Sequence, residues 1–332
     1  MELKETKMRK IIFALIATFF CINLFAQNEN ISNINDVKYN IKLIKFYIEK
    51  NEYDNALEYI DKTLEESIDK DSLFFFKGVI YHEYEDWQQA SEFYAQAILH
   101  TSKEQIIDER LAIFENAIFQ VSPLTAFDIV STAVSEAIDP QMHIGFLYIL
   151  AKLYENNQLY GEANDVYGTI LLETEEPESW NLKIKIATNK IFQKEYEEAL
   201  DVLEPLIAID DSLYNEKLLF LNYIANISIE RYEDAKTSLL RLYLDFPENP
   251  NRNDIIAGLA DVFEHQEQYL MSWFMLNELF KISDEVQKFK LRKDIDRIKQ
   301  KICETNTIED QFKYFKPVLE IDEQSILPCN ID

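Results

Sequence analysis

Side chains able to do chemistry are few in this sequence, and they lie far apart. The chain has four histidines and three cysteines, namely His82, His100, His143, His265, Cys21, Cys303 and Cys329. None of them stands at the spacing of a metal site. The sequence also has no phosphate-binding loop, no Cys-x-x-Cys pair and no serine-hydrolase elbow. We therefore predict no catalytic residue, no metal site and no cofactor, and we expect the protein not to be an enzyme.

The composition favours a helical protein and argues against binding to nucleic acid. Hydrophobic residues make up 47% of the 332 residues, whereas only five are Gly and eight are Pro. Ample apolar content with few turn formers is typical of helices. With 33 basic and 60 acidic residues, the net charge is −27. A charge of this sign and size repels a nucleic-acid backbone or an anionic membrane surface.

Residues 1–26 have the features of a signal peptide. Four basic residues precede an uncharged, mostly apolar run over 11–25, and the small residue Ala26 follows it. This run is shorter than the roughly 20 residues that span a bilayer, although a transmembrane anchor is the alternative. We predict removal of residues 1–26, a flexible spacer over 27–35 and no transmembrane segment after cleavage. The expected location is the periplasm or cell envelope of a Gram-negative bacterium.

Two cysteines, Cys303 and Cys329, remain once the leader is removed. In an oxidising compartment they could form a disulfide that joins the C-terminal tail to the last helix. Unpaired thiols are the alternative.

The clearest pattern in the sequence is a repeat with intervals of 34 to 37 residues. One position of the repeat is always a small residue, and we call this set of positions the small column. It contains Ala56, Ala90, Ala126, Ala163, Ala199, Ala235 and Ser272. An aromatic residue stands three positions earlier in six of the seven units, and a large apolar residue stands four positions later in all of them. Residues at these spacings lie on one face of a helix. We predict that another helix packs closely against each small residue.

A second small site occurs twelve residues before the small column. It is occupied by a small residue in four units, at Gly78, Ala151, Ala187 and Ala260. A ring often follows three residues later, as at Tyr81 and Tyr154. Each unit is therefore predicted to be an antiparallel pair, a first helix followed by a second, held by contacts between small and large side chains.

These residues resemble the tetratricopeptide repeat family. The resemblance is clearest at Gly78, Tyr81, Ala90, Tyr94 and Ala97, and again at Leu150, Ala151, Tyr154, Ala163 and Tyr167. It implies an all-α superhelical solenoid of about seven antiparallel helix pairs over residues 36–283. It also implies a scaffold that binds other proteins, because that is the main role of the family.

Two prolines mark departures from the repeat. Pro123 takes an aromatic position in the unit around Ala126, which predicts a bent helix pair there. Pro205 falls late in a second helix and is expected to end or kink it early.

Beyond the repeat, the apolar positions Leu291, Ile295, Ile298 and Ile302 predict a capping helix over 284–304. An irregular tail is expected over 305–332. The other positions of the capping helix are largely basic, at Lys288, Lys290, Arg292, Lys293, Arg297, Lys299 and Lys301. They could form a solvated face that pairs with the protein's own carboxylates, or a docking surface for an acidic partner.

The triplet Asp-Ser-Leu occurs at Asp71 and Asp211, each time just before a predicted first helix. Asp and Ser side chains accept hydrogen bonds from free N–H groups at a helix start, so the triplet predicts a helix cap. It also resembles an O-glycosylation acceptor used by some exported bacterial proteins.

The resemblance further implies that the first helices line a concave groove. The predicted groove residues are Ile41, Phe75, Val79, Tyr148, Lys152, Ile184, Phe220 and Ile224. These residues stand in two columns, 15 and 11 residues before the small column. Some family members hold a peptide carboxylate with a Lys in the first of these columns and an Asn in the second, but neither residue occurs in its column here. We predict that the groove binds a protein or peptide segment through apolar anchors.

The alternative function is a glycan-binding or nutrient-uptake accessory protein of the outer membrane. Trp180 is the one tryptophan that the repeat columns do not explain, so it is the candidate for contact with a sugar.

Overall fold

The computed structural model describes residues 33–67, 70–175, 178–209 and 215–305, and these residues form fifteen α-helices and no β-strand. The prediction of an all-α chain of successive helix pairs is confirmed. The chain divides into two compact units, unit 1 over residues 1–125 and unit 2 over residues 126–332.

Unit 1, in its described part, contains two helix pairs and one further helix. The helices are α1 (Asn33–Glu49), α2 (Tyr53–Glu66), α3 (Asp71–Glu83), α4 (Trp87–Leu99) and α5 (Ile107–Ile118), with a short 3-10 turn (Glu104–Ile106) before α5. α1 packs against α2, and α3 packs against α4. Their buried residues include Ile44, Ile60, Leu73 and Ile80. The start of α1 lies inside the predicted spacer.

Unit 2 contains one further helix, four helix pairs and a terminal helix in its described part. Its helices are α6 (Pro123–Glu136, in this unit from Ala126 onward), α7 (Pro140–Asn156), α8 (Tyr160–Leu171), α9 (Glu178–Gln193), α10 (Tyr196–Ile209), α11 (Asn215–Ser228), α12 (Tyr232–Asp245), α13 (Arg252–His265), α14 (Tyr269–Ile282) and α15 (Glu285–Thr305). α7 pairs with α8, α9 with α10, α11 with α12 and α13 with α14, while α15 packs on α14.

The small column is buried throughout. All seven of its members are at most 1% exposed, and the large residues four positions later are at most 8% exposed. Gly78 shows how tight the contact is, because a Cβ atom there would lie 2.5 Å from Cδ1 of Tyr94. The predicted close packing of a second helix against a first helix is therefore confirmed.

Six turns between paired helices pass through a left-handed residue that is not Gly. Their φ angles lie between 57° and 64°, at Asn51, Glu85, Gln158, Lys194, Glu230 and Glu267, each five positions before the small column. At one such turn the N–H of Glu85 donates to the carbonyl of His82, and the N–H of Asp86 donates to that of Tyr81, at 3.0 and 2.9 Å. Such a pair of bonds ends a helix and reverses the chain.

Pro205 does not end its helix early. α10 continues through it to Ile209, so that part of the prediction is wrong. Pro205 lacks the N–H that would bond to the carbonyl of Asp201, but both residues are exposed. Water can take the place of that bond near the end of a helix, and the cost is small enough for the helix to continue.

The terminal helix α15 covers the last pair with its apolar side. Ile298 and Ile302 are buried, while Leu291 and Ile295 pack against the same cluster. Glu264 on α13 forms ion pairs with two of the basic residues, Arg297 and Lys301. Pairing with the protein's own carboxylates is thus observed for these two residues.

The predicted signal peptide, the irregular tail after Thr305 and Cys329 lie outside the described residues. Cys303 lies near the end of α15, and its disulfide with Cys329 stays a prediction. Within the described part of the chain, no helix is both long enough and apolar enough to cross a membrane.

Candidate partner-binding surface

Unit 1 holds an ion cluster formed by the buried residues Asp71, Thr101 and Arg110 and the exposed residue Lys103. Oδ2 of Asp71 accepts hydrogen bonds from Arg110 Nη2 at 3.0 Å, Thr101 Oγ1 at 3.1 Å and Lys103 Nζ at 3.4 Å. Arg110 also donates to the carbonyl of Ala97 at 2.7 Å. The Asp71 side chain is 1% exposed and that of Arg110 is 5% exposed. This cluster therefore joins α3, α4 and α5 from inside the fold.

The helix-cap interpretation of Asp71 is confirmed for the hydrogen bond to a free N–H group at the helix start, but it is wrong for the position of the residue. Lys70 is the N-cap residue of α3 and makes no side-chain cap bond, whereas Asp71 is already within the helix. Its Oδ1 accepts from the neighbouring Ser72 N–H at 2.6 Å, but Oδ2 serves the ion cluster. The other Asp-Ser-Leu triplet, at Asp211, lies outside the described residues.

The predicted groove residues divide into two groups. Val79 and Ile184 are 4% and 1% exposed, so their side chains belong to the core and cannot reach a partner. Their inclusion in the groove is a mistaken prediction, because an apolar residue on a first helix can also face the adjacent helix pair. Six residues are partly exposed, namely Ile41, Phe75, Tyr148, Lys152, Phe220 and Ile224.

Each unit contributes some of these six residues. In unit 1, Phe75 lies 5.7 Å from the ring of Tyr94 and 5.3 Å from the Arg110 guanidinium, measured from its ring centroid. Ile41 packs against the core of the first two pairs. Both side chains are thus held largely by the fold. The other four lie in unit 2, on α7 and α11.

In unit 2 the first helices of successive pairs lie side by side. α9 contacts α11 directly. Lys185 on α9 also reaches α7, where its Nζ lies 3.5 Å from Glu155 Oε2 and 5.5 Å from the ring centroid of Tyr148. Side chains on these helices therefore meet across repeats.

We call one part of this face the first-helix surface. It consists of Tyr148, Lys152, Lys185, Lys217, Phe220 and Ile224. Phe220 and Ile224 stand four residues apart on α11, which places them on one side of that helix. The surface therefore combines two apolar side chains with a ring and three cations.

The three cations of this surface form a lysine cluster, Lys152, Lys185 and Lys217. Nζ of Lys152 lies 5.3 Å from the centroid of Tyr148, so two lysines contact one aromatic ring. Burial lowers the pKa of Lys217, and the positive charge of Lys185 lowers it further, while Glu155 acts in the opposite direction. Lys217 forms no ion pair among the described residues.

Farther along unit 2, the first helices carry the opposite charge. Burial raises the pKa of Tyr223 on α11, and the carboxylates of Asp261 and Asp254 on α13 raise it further. The Tyr223 side chain reaches the backbone of α13 here, because a Cβ atom on Gly258 would lie 2.8 Å from Oη of Tyr223. These two aspartates lie on the first helix that follows the three lysine-bearing first helices α7, α9 and α11.

Two residues of the lysine cluster, Lys185 and Lys217, were not predicted from the sequence. The predicted columns stand 15 and 11 residues before the small column, whereas Lys152, Lys185 and Lys217 stand 11, 14 and 18 residues before it. These offsets differ by three and four, so the lysines share one face of successive first helices. A search for cations at helical spacing across units could have found them.

The helix pairs themselves decide the fold type. Buried small residues recur seven times, first helices touch first helices, and six turns repeat one backbone conformation. These are tetratricopeptide-like helix pairs. The resemblance predicted from the sequence is thus confirmed at the level of the fold. Among the described residues, no group of three or more His, Cys, Asp or Glu side chains could hold a metal ion.

No protein-family model matches the chain, and no curated protein matches it. Among solved structures, the chain is similar to apo RapI, with 14% identity, a TM-score of 0.49 and coverage of 85% of this chain and 86% of that one. It is also similar to a tetratricopeptide repeat protein from Parabacteroides merdae, with 14% identity, a TM-score of 0.39 and coverage of 80% and 99%. For PilF of Pseudomonas aeruginosa the identity is 16%, the TM-score 0.39 and the coverage 67% and 97%.

Proposed function

We propose that the protein is an exported scaffold without enzymatic activity, which binds a protein or peptide segment at the first-helix surface. The observation that supports this most is the partly exposed pair Phe220 and Ile224 on α11, the first helix that also carries Lys217. Apolar side chains at a spacing of four, with polar groups around them, can serve as anchors for an extended or helical segment.

Export is supported by the sequence features of residues 1–26 described above. Sequencing of the N-terminus of the protein isolated from its native host tests this part. We expect the mature chain to begin at Gln27. A chain that retains Met1 or Met8 would contradict export with cleavage.

Binding at the first-helix surface can be tested with a photo-crosslinker. We would replace Phe220 with p-benzoylphenylalanine, irradiate intact cells and identify the crosslinked protein by mass spectrometry. The matched control carries the same group at Leu244, an apolar residue of α12 that is 60% exposed but lies on a second helix. We expect a defined, stoichiometric protein partner at Phe220 and none at Leu244.

Alanine variants provide the affinity measurement for that partner. Phe220→Ala and Ile224→Ala should each weaken its binding, while Leu244→Ala should leave the affinity unchanged and all three should keep their helical circular dichroism. Equal effects at the three positions would contradict the assigned surface. A loss of helical signal in the first two variants would show that their side chains belong to the core.

The glycan-binding alternative is not favoured by the structure. Trp180, its candidate residue, packs against the buried residues around Ala187 and Leu203.

A further inference from the structure

The outward side of the terminal helix α15 combines apolar and basic side chains. Val286 and Phe289 stand three residues apart and are 71% and 65% exposed. Lys290 and Lys293 are also exposed and lie on the same side of the helix. Nζ of Lys293 lies 5.6 Å from the ring centroid of Phe289. We call these four residues the outer α15 surface, and it faces away from the side of α15 that packs on α14.

The charge of α15 is opposite to that of the chain. The helix has seven basic and four acidic residues, whereas the whole sequence has 33 basic and 60 acidic residues. The ion pairs of α15 involve Lys288, Arg297 and Lys301, and among the described residues Lys290 and Lys293 form none. Exposed apolar side chains with cations beside them suit a segment that has both apolar and acidic side chains.

The chain itself contains such a segment. Residues 306–332 include six acidic and two basic residues, and residues 318–323 read Val-Leu-Glu-Ile-Asp-Glu. Phe289 stands 16 residues before Thr305, where α15 ends, which is about 24 Å along the helix. The 14 residues that lead from Thr305 to Leu319 can span up to about 46 Å. The segment is therefore long enough to return along α15 to its outer surface.

We propose that residues 318–323 bind to the outer α15 surface of the same chain. Their apolar side chains contact Val286 and Phe289, and their carboxylates pair with Lys290 and Lys293. Because the segment is attached to the surface that it binds, its effective concentration is high and weak contacts suffice. An acidic partner from outside has to displace this segment before it can bind there. The outer α15 surface shares no residue with the first-helix surface, so the inference does not depend on the proposed function.

A photo-crosslinker at Phe289 tests the contact in the full chain. The purified protein carries p-benzoylphenylalanine at this position and is irradiated, and the crosslinked peptides are identified by mass spectrometry. We expect crosslinks to residues 318–323. The control carries the same group at Leu244, the exposed apolar residue of α12, and should give no crosslink to this segment. Crosslinks from Phe289 only to other parts of the chain, or equal crosslinks from Leu244, would overturn the proposal.

A pair of lysine substitutions in the crosslinking protein tests the charges. K290Q/K293Q should lower the yield of the crosslink about threefold, because each exposed ion pair contributes little, and added salt should lower the yield of the unsubstituted protein. The matched control K62Q/K299Q removes the same charge from exposed positions on α2 and on another side of α15, and it should leave the yield unchanged. Equal losses in the two variants would refute the pairing with Lys290 and Lys293.

A second crosslinking position guards against a folding defect. If the substitution at Phe289 reduces the helical circular dichroism, the crosslinker is placed at Val286, which is 71% exposed. The same crosslinks to residues 318–323 are expected from there, and their absence counts against the proposal in the same way.

Two other occupants of the surface would be recognised by their own results. In an equal mixture of isotope-labelled and unlabelled chains, crosslinks between a labelled and an unlabelled peptide would show that a second copy supplies the segment. Cosedimentation with phosphatidylglycerol vesicles that K290Q/K293Q abolishes would show that the surface binds an anionic membrane. Either result contradicts the proposal, whereas crosslinks within one chain and no cosedimentation support it. The proposed function is judged separately, by the crosslink at Phe220.

Discussion

Arg110 in unit 1 and Lys185 in unit 2 are both cations that contact an aromatic ring and a carboxylate, yet their surroundings differ. Arg110 is 5% exposed and its partner Asp71 is 1% exposed, and the pair is completed by Thr101 and the carbonyl of Ala97. Lys185 is 26% exposed and lies near a second lysine. A buried charge requires a complete set of partners, whereas a surface charge can remain in surplus. We infer that the first cluster stabilises the fold and the second is suited to binding.

The largest expected effect tests the buried cluster. Arg110→Met leaves the carboxylate of Asp71 buried with fewer partners, so the free energy of unfolding of unit 1 should fall by roughly 3–5 kcal/mol. Urea denaturation followed by Trp87 fluorescence measures this, in a background of Trp180→Phe and Trp273→Phe, because Trp87 is then the sole tryptophan and lies in unit 1.

A matched control in the same unit is Lys77→Met. Lys77 pairs with Asp61 at 2.7 Å, but the Asp61 side chain is 60% exposed, so the loss should stay below about 1 kcal/mol. Comparable losses in the Arg110 and Lys77 variants would show that burial does not distinguish the two pairs.

The next effect compares packing at two glycines, one in each unit. Gly78→Ala places a Cβ atom 2.5 Å from the ring of the buried Tyr94, and such overpacking should cost roughly 1–3 kcal/mol. Gly168→Ala meets no atom within 4 Å, and it should gain up to about 1 kcal/mol because alanine favours a helix. Thermal melting followed by circular dichroism gives both signs. A gain at Gly78 would contradict the tight contact.

Most of the repeat architecture was predictable because it depends on local spacing. The small column, its large neighbours four residues later and the antiparallel pairing all follow from helical periodicity, and the structure buries every member of the column. Val79 and Ile184 were assigned wrongly because sequence spacing gives the helix but not what the adjacent pair covers.

The charged clusters were not predictable from local patterns. Asp71 meets Arg110 across 39 residues, and the local triplet at Asp71 suggested a cap instead. The lysine cluster needs three repeats in one stack, with offsets that shift from one first helix to the next. In both cases the partner is decided by how helices stack, which a single repeat does not contain.

A smaller effect concerns Glu264, a partly buried carboxylate whose ion-pair partners Arg297 and Lys301 are more exposed than Arg110 or Lys185. Burial raises the pKa of this carboxyl, but the hydrogen bonds and charges of Arg297 and Lys301 outweigh burial and hold the pKa below its ordinary value of 4.5. Because the folded-state pKa is the lower one, the pairs stabilise the fold above pH 4.5 and lose that contribution as the pH falls through the folded-state value.

Glu264→Gln should therefore reduce the free energy of unfolding at neutral pH, by less than about 1 kcal/mol because Arg297 is half exposed. Chemical denaturation at several pH values should show the wild type and the variant converging below pH 4.5. The control is Glu285→Gln. Glu285 pairs with Lys288, but its side chain is 83% exposed, so this variant should show no such convergence. A constant difference for Glu264→Gln at all pH values would exclude the ion pairs as its cause.

The smallest effect tests whether the lysines of unit 2 repel one another. Burial contributes most to the lowered pKa of Lys217, and the charge of Lys185 lowers it further. Lys185→Gln removes that charge but leaves Lys217 in place, so the pKa of Lys217 should rise towards its ordinary value. An NMR titration of the lysine Cε resonances measures it, with Lys299→Gln as the distant control. If the pKa does not rise, burial alone accounts for the shift. In that case the contrast between Arg110 and Lys185 would be one of exposure only.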